Sequence, residues 1–402
     1  MVHWINKTLT PKRMGYAGLT GIILWAAWLV SIFLGPDHLD LAGQPVGADY
    51  VQFYAAGRTL LRGDAARLYD FSYQAMLERE IIGPGLTNYY AFITPPFFAW
   101  VFVPLALLPY DLSFVVWSLL GLGALASSLV LLHGSDFGMH RWLKWALTFF
   151  PVFATISFGQ NSLLSLFLLC GVYALWQRGS GFPAGLLLSL ILYKPQLALG
   201  IGILWLLDWR REKGALWGLL SGGAALAGLS FALLPDASRA YLDFSRNVLP
   251  GLPGWQTFPL WHLHTVRGFW RLLLPGAPRV ADGLTLLVSV VGVAGFAVLW
   301  RQRRADQDVL FAAAICLTLW LTPHAMVYDW AILLVPALLL WRAQPDMRGK
   351  LRAVYALLWI ALLLSGPLTV MQLRVWPLAV QISIPVWVWS SGYLWQSCVD
   401  PA

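Results

Sequence analysis

Asp49 opens the stretch Asp49-Tyr50-Val51-Gln52-Phe53-Tyr54, a carboxylate at the head of a Tyr/Phe-rich run. Four other places set polar groups at the end of an apolar run. They are Gly159-Gln160-Asn161-Ser162, then Tyr193-Lys194-Pro195-Gln196, the segment 261–271 with His262, His264, Arg267 and Arg271, and the segment 322–330 with His324, Tyr328 and Asp329. One placed carboxylate, a few cations, and amide and aromatic groups suit displacement of a phosphate-type leaving group by an alcohol. The carboxylate takes the alcohol proton as general base. Cations and helix N-termini stabilise the charge growing on the leaving phosphate. The chain has no Walker A loop, no G-x-S-x-G elbow and no H-E-x-x-H helix. Nor does it carry an Asp-x-Asp pair expected to hold a divalent metal for a nucleotide-sugar. No metal and no other cofactor is expected.

The elements that must position these residues are membrane helices. Of 402 residues, 59% are hydrophobic and 11% charged, and mean hydropathy is +0.67; soluble domains carry about 25% charged residues. Apolar runs recur from end to end, so the expected fold is an all-α polytopic membrane protein. The runs are continuous rather than alternating, which argues against a β-barrel. The net charge of +8 needs no nucleic acid, because Lys and Arg collect in short loops as the positive-inside rule requires. Cys170, Cys316 and Cys398 lie scattered in apolar runs and form no disulfide or metal pattern. Lys7, Lys12 and Arg13 precede a first apolar run with no small-residue cleavage site after it, which reads as an uncleaved first helix.

Twelve candidate spans follow: 16–34, 112–132, 143–158, 161–177, 182–193, 195–208, 215–234, 283–300, 308–321, 325–341, 353–370 and 376–396. With both termini cytoplasmic and 35–111 as one external excursion, every clustered basic loop falls inside. These loops carry Arg141, Lys144, Arg178, Arg210, Arg211, Lys213, Arg301, Arg303, Arg304, Arg342, Arg348, Lys350 and Arg352. Counting 93–110 as a further span would invert them all. That segment carries Pro95, Pro96, Pro104 and Pro109, and prolines break helix interiors. It reads as interfacial or re-entrant, with a kinked span as the rival. Asp49 to Glu80 reads as an interfacial helix in the first external loop; 235–282 is the second external loop. The whole chain, 1–402, is one membrane domain.

Segments 182–193 and 195–208 are each short for a roughly 30 Å core. They meet at Lys194. A lysine at that depth is costly and marks function or a buried pair. Two geometries stay open: a hairpin with Lys194 at its tip, or one helix kinked at Pro195 with Lys194 snorkelling.

The run 47–70 resembles the first external loop of glycosyltransferase family 87, a branch of the GT-C superfamily. The matching residues are Asp49, Phe53, Tyr54, Ala55, Ala56, Leu60, Leu61, Gly63, Leu68, Tyr69 and Asp70. Segment 94–109 is similar to the Pro-rich element that follows in that family. Gly159-Gln160-Asn161, Lys194-Pro195 and Thr322-Pro323-His324 resemble its later motifs, with the last spacing shortened. The resemblance implies a GT-C-like bundle and an inverting transfer of a mannose- or arabinofuranose-class sugar. The donor would be a polyprenyl-phosphate-linked sugar, the acceptor a lipid or glycan, and the site extracytoplasmic in a bacterial-type inner or plasma membrane.

It also implies Asp49 as general base, the reading favoured by the aromatic neighbours that could stack a sugar, with a cap on the helix it opens as the rival. Lys194, His324, His264 and Arg267 are the candidates for the carrier phosphate. Tyr50, Gln52, Tyr54, Gln160 and Asn161 are the candidates for sugar and acceptor. Asp329 could pair with a cation such as Arg267 or orient His324. Membrane lipids are expected partners and nucleic acid is not. The alternative function is a transporter or flippase of a lipid-linked saccharide.

Overall fold

The computed structural model describes residues 7–133, 139–254, 258–303 and 306–399. Arg304 and both chain ends, where termini were expected on the cytoplasmic side, lie outside the described residues. The described residues are helical, with no strand and two isolated bridges, Leu39–Pro45 and Leu263–Met326. Helix α1 (Pro11–Leu34) is followed by α2 (Tyr50–Leu61), α3 (Phe71–Ile82) and α4 (Tyr110–His133). Two short helices, α5 (Met139–Thr148) and α6 (Phe150–Phe158), lead to α7 (Ser162–Gln177). Then come α8 (Gly181–Ser189), α9 (Leu199–Leu207), α10 (Trp209–Leu233) and α11 (Pro235–Asn247). The last third holds α12 (Val266–Leu273), α13 (Pro278–Gln302), α14 (Gln307–Leu321), α15 (Leu334–Ala343), α16 (Arg348–Leu373) and α17 (Ser383–Val399).

Five stretches are long and apolar enough to cross a membrane: Gly15–Leu34, Tyr110–Leu132, Trp209–Leu233, Pro278–Gln302 and Pro345–Leu373. They leave Ile22, Phe33, Leu220, Leu286 and Val290 exposed, a surface suited to lipid tails rather than water. The expected twelve spans are thus five long helices plus shorter apolar ones. The difference has local causes. Span 143–158 is broken at Phe149, which is extended, because Pro151 fits only the first turn of a new helix. Span 325–341 begins as a 3₁₀ stretch, Val327–Leu333, before α15. Span 376–396 is helical only from Ser383.

Segment 93–110 makes no continuous helix. It is a helical turn at Pro96–Ala99 and two 3₁₀ turns, Trp100–Phe102 and Leu105–Leu107. At about 1.5 Å per residue these would reach roughly 18 Å, short of a bilayer core. The segment packs under α2, with Phe102 stacked on Phe53 at 4.9 Å. The stretch from Asp49 to Glu80 is two helices rather than one, and α2 buries nine of its 12 residues. A helix lying on a membrane surface keeps a wet face; α2 sits inside the protein.

Residues 181–207 form a hairpin. α8 starts beside Ala215 near the beginning of α10, and Ser189 lies by Gly222. The chain turns at Lys194, whose φ/ψ of −132°/71° interrupts two 3₁₀ turns. α9 then returns along α14, and the chain reaches Trp209 at the end where it began. Gly185 makes the α8–α10 approach possible, since a Cβ there would lie 1.8 Å from the Ala215 carbonyl oxygen. The hairpin places Lys194 at its tip.

Candidate active site

α6 stops at Gly159, whose left-handed φ of +66° is a conformation most residues avoid. The turn aims the Phe158 carbonyl at the Asp49 N–H, 2.9 Å away, and presents the Gly159 carbonyl to the Trp117 indole N–H at 3.0 Å. It also sets Gln160 against Asp49. Gln160 Nε2 donates to Asp49 Oδ2 at 2.8 Å. Its Oε1 faces the Lys194 ammonium at 3.4 Å. Nitrogen toward the carboxylate and oxygen toward the ammonium is the amide orientation that satisfies both charges. Lys194 Nζ in turn donates to Asp329 Oδ1 at 2.6 Å. Ser162 Oγ donates to the same oxygen at 2.8 Å, and the Met326 N–H donates to Oδ2 at 3.1 Å. One line of polar contacts, Asp49–Gln160–Lys194–Asp329, therefore joins four segments far apart in sequence.

Asp49 occupies the N-cap position of α2, but it does not cap. Its backbone is already helical (φ −80°, ψ −11°) and its side chain accepts no bond from the helix. The carboxylate points to Gln160 instead. Burial pushes its pKa above the usual carboxylate range, against the pull of the Gln160 hydrogen bond, the Lys194 charge and the Tyr328 hydroxyl. A carboxylate held half-buried and raised in this way has the character of a general base.

Asn161 is 1% exposed, and neither its Oδ1 nor its Nδ2 has a partner among the described residues. It stands at the N-cap of α7 without capping it. Leaving a buried amide unsatisfied costs about 1–3 kcal/mol.

The other expected residues distribute unevenly. Gln196, two residues after Lys194, donates to the His324 carbonyl at 3.2 Å, which ties the His324 turn to the hairpin tip. Burial lowers the imidazole pKa; the charge of Asp329 opposes this and that of Lys194 adds to it. Burial thus favours the neutral ring. His264 is 1% exposed, bonds Ser383 Oγ through Nδ1 at 2.9 Å, and burial drops its pKa to about 3. It carries no positive charge at neutral pH. Arg267 pairs with Asp282 at 3.3 Å, as Arg271 does at 2.6 Å. Asp329 thus has Lys194 as its cation, not Arg267.

Tyr50 is fully buried with its hydroxyl on Ser113 at 2.5 Å. Tyr54 donates to the Leu108 carbonyl at 2.7 Å. Both are spent on the packing of α2 against its neighbours. Gln52 is buried on the same helix.

The sequence profile of glycosyltransferase family 87 matches residues 92–327, more than half of the chain. The chain belongs to glycosyltransferase family 87. Among curated proteins and among solved structures, nothing matches it. The family 87 segment holds Gln160, Asn161, Lys194, His264, Arg267 and His324, and ends just before Tyr328 and Asp329. Asp49 lies upstream of it, and contact with Gln160 is what ties it to the family 87 part of the site.

Sequence reasoning missed Ser162 as an Asp329 donor, and it missed Glu78. Glu78 lies on α3, fully buried, in the charge field of Asp49. The available signal was the spacing Tyr73, Gln74, Leu77, Glu78, Ile82, which places Glu78 on the buried face of α3. The one Asp-x-Asp spacing, Asp306-Gln307-Asp308, is already used. Asp306 caps α14 through the Val309 N–H at 3.1 Å, and Asp308 is held by Arg342 at 2.8 Å.

Proposed function

We propose that this family 87 member transfers a mannose- or arabinofuranose-class sugar from a polyprenyl phosphate to an alcohol of a lipid or glycan. The reaction runs on the extracytoplasmic face, with inversion. The acceptor oxygen forms a bond to the anomeric carbon while the bond from that carbon to the phosphate oxygen breaks. The bonding pair leaves on the phosphate, and the acceptor proton passes to the Asp49 carboxylate. Lys194 and the N-terminal end of α7 would face the phosphate. Gln160 positions Asp49 and Lys194 in one geometry. His324 contributes hydrogen bonds. Membership of a glycosyltransferase family favours transfer over transport of the saccharide.

The observation that carries this function is Asp49 itself. It is a carboxylate raised by burial, free of capping duty, and one amide away from the Lys194 ammonium. Asp49→Asn should keep the fold and lose transfer by about 10²–10⁴-fold, the usual contribution of a general base. The measurement is sugar transfer from polyprenyl-phosphate-mannose and polyprenyl-phosphate-arabinofuranose by purified protein. Full activity in that variant would remove Asp49 as base. No metal takes part in this scheme; abolition by EDTA with recovery on adding Mg²⁺ or Mn²⁺ would overturn that part of it.

A further inference from the structure

The first loop buries a second carboxyl, on the helix that packs against α2 and in the charge field of Asp49. Glu78, on the inner face of α3, is 0% exposed. Its Oε2 accepts the Tyr90 N–H at 3.0 Å, while its Oε1 has no partner among the described residues. One turn earlier on the same face, Gln74 is fully engaged. Its Oε1 accepts the Tyr89 hydroxyl at 2.8 Å and the Phe92 N–H at 3.1 Å, and its amide nitrogen donates to the Leu68 carbonyl. Both residues hold the segment 83–95 against α3. We propose that Glu78 is a specificity-determining group of the active site, and that its free oxygen Oε1 bonds a hydroxyl of the sugar or of the acceptor. The inference rests on the glycosyl-transfer function proposed above.

The protonation state follows from the surroundings. Those bearing on Glu78 are Asp49 at the start of α2, Tyr89 and Tyr90 on the segment 83–95, and Tyr110 at the start of α4. None of them is a cation. Burial, with the Asp49 charge added, pushes the Glu78 carboxyl up to about 8 against the single Tyr90 N–H. Near neutral pH the carboxyl keeps its proton. Oε2 is occupied as an acceptor, so the proton sits on Oε1, where nothing among the described residues receives it. A neutral carboxyl of this kind donates to a sugar hydroxyl, and a site built to bond a hydroxyl discriminates strongly against a substrate lacking it.

The test uses Glu78→Gln and Glu78→Ala in full-length protein. Donors are polyprenyl-phosphate-mannose and polyprenyl-phosphate-arabinofuranose in turn, with membrane lipid extract as acceptor. Gln keeps a neutral donor and should leave kcat/KM near pH 7 within about threefold, while Ala should lower it by about tenfold or more. Wild-type kcat/KM should fall above about pH 8, and Glu78→Gln should lose that alkaline limb. A raised KM for donor alone places the contact on the transferred sugar; a raised KM for acceptor alone places it there. If Glu78 binds only a buried water, both variants keep wild-type kinetics and the alkaline limb, which overturns the inference. A structural Glu78 would lower Tm in both variants and leave the limb in Glu78→Gln, which overturns it as well. Should Glu78→Ala not fold, the pH profile of Glu78→Gln decides alone. Wild-type protein that transfers neither sugar would remove the proposed function and the Glu78 inference together; active wild type with both variants unchanged removes Glu78 only.

Discussion

Two charge clusters, one buried and one partly exposed, stand at opposite ends of the same helices. One is Asp49–Gln160–Lys194–Asp329, around the start of α7 and the turns before α15. The other joins Tyr173 of α7, Asp308 of α14 and Arg342 of α15. Eleven residues of α7 separate Ser162 from Tyr173, about 16 Å along the helix. The second cluster is closed. Arg342 donates to Asp308 at 2.8 and 3.2 Å, to the Tyr173 hydroxyl at 2.5 Å and to the Leu132 carbonyl at 2.8 Å, and Tyr173 donates to Asp308. Every charge there faces a protein partner, and three helices are clamped to α4. The first cluster is open: Asn161 and one oxygen of Glu78, its neighbours, have no partners among the described residues. Saturated charge locks an architecture, whereas unsaturated polar groups beside a charge pair are where the substrate proposed above would complete the network.

Cation removal should break the comparison most sharply. Lys194→Met strands Asp329, whose side chain is 2% exposed, and stranding a buried charge costs about 3–5 kcal/mol. A large fall in Tm and loss of transfer should appear together. Lys194→Met with Asp329→Asn removes both charges and should recover most of the Tm while transfer stays lost. If transfer returned in that double variant, Lys194 would be a structural cation and the two clusters would be of one kind. Arg342→Met is the counterpart at the closed end. Its guanidinium is partly exposed, at 36%, so the loss should be nearer the roughly 1.5–3 kcal/mol of charged hydrogen bonds. Tm should fall, with kcat unchanged in the protein that remains folded.

A smaller effect sharpens the contrast through pH. Glu78 has a folded pKa of about 8 against an ordinary 4.5. Between these values the folded protein holds a proton that the unfolded chain has released, so stability falls as pH rises through that window and levels off above it. Wild-type Tm should therefore decline from pH 5 to pH 8 by more than Glu78→Gln does, whatever the role of Glu78 in transfer. Equal slopes would mean the carboxyl is not held neutral.

Much of the open cluster is legible in the sequence, and for a physical reason. In a chain of apolar runs a polar residue at a break is costly, so Gln160, Asn161, Lys194 and His324 announce themselves by position. Segments too short to span put Lys194 at a turn, with a hairpin as one of two geometries. Three things do not show. Asp329 finds Lys194 across 135 residues of chain, and no local spacing encodes that pairing. The spacing puts Glu78 on one face with Tyr73, Gln74, Leu77 and Ile82, but that face is of mixed polarity and only the packing of α3 shows it to be buried. The sequence puts Asp49 at a helix start, but whether the side chain caps depends on backbone angles and on a glutamine 111 residues away. The long apolar runs predict helices, but not where Pro151 splits one of them.

Asn161 supplies the finest test, because stability and function should part there. Its amide is buried and unpartnered among the described residues, so removing its polar atoms forfeits no hydrogen bond seen there. Asn161→Leu preserves most of the volume and removes both polar atoms. Because the cap position makes no side-chain bond to α7, no helix-capping energy is lost with it. Tm should hold or rise, by up to about 1 kcal/mol of stability. Substrate binding should weaken instead, seen as a several-fold higher KM with Tm intact. An amide that instead bridges a resident water would lose bonds on substitution, so Tm would fall and KM would stay. A closed cluster gives the second pattern at every member; an open one gives the first at Asn161.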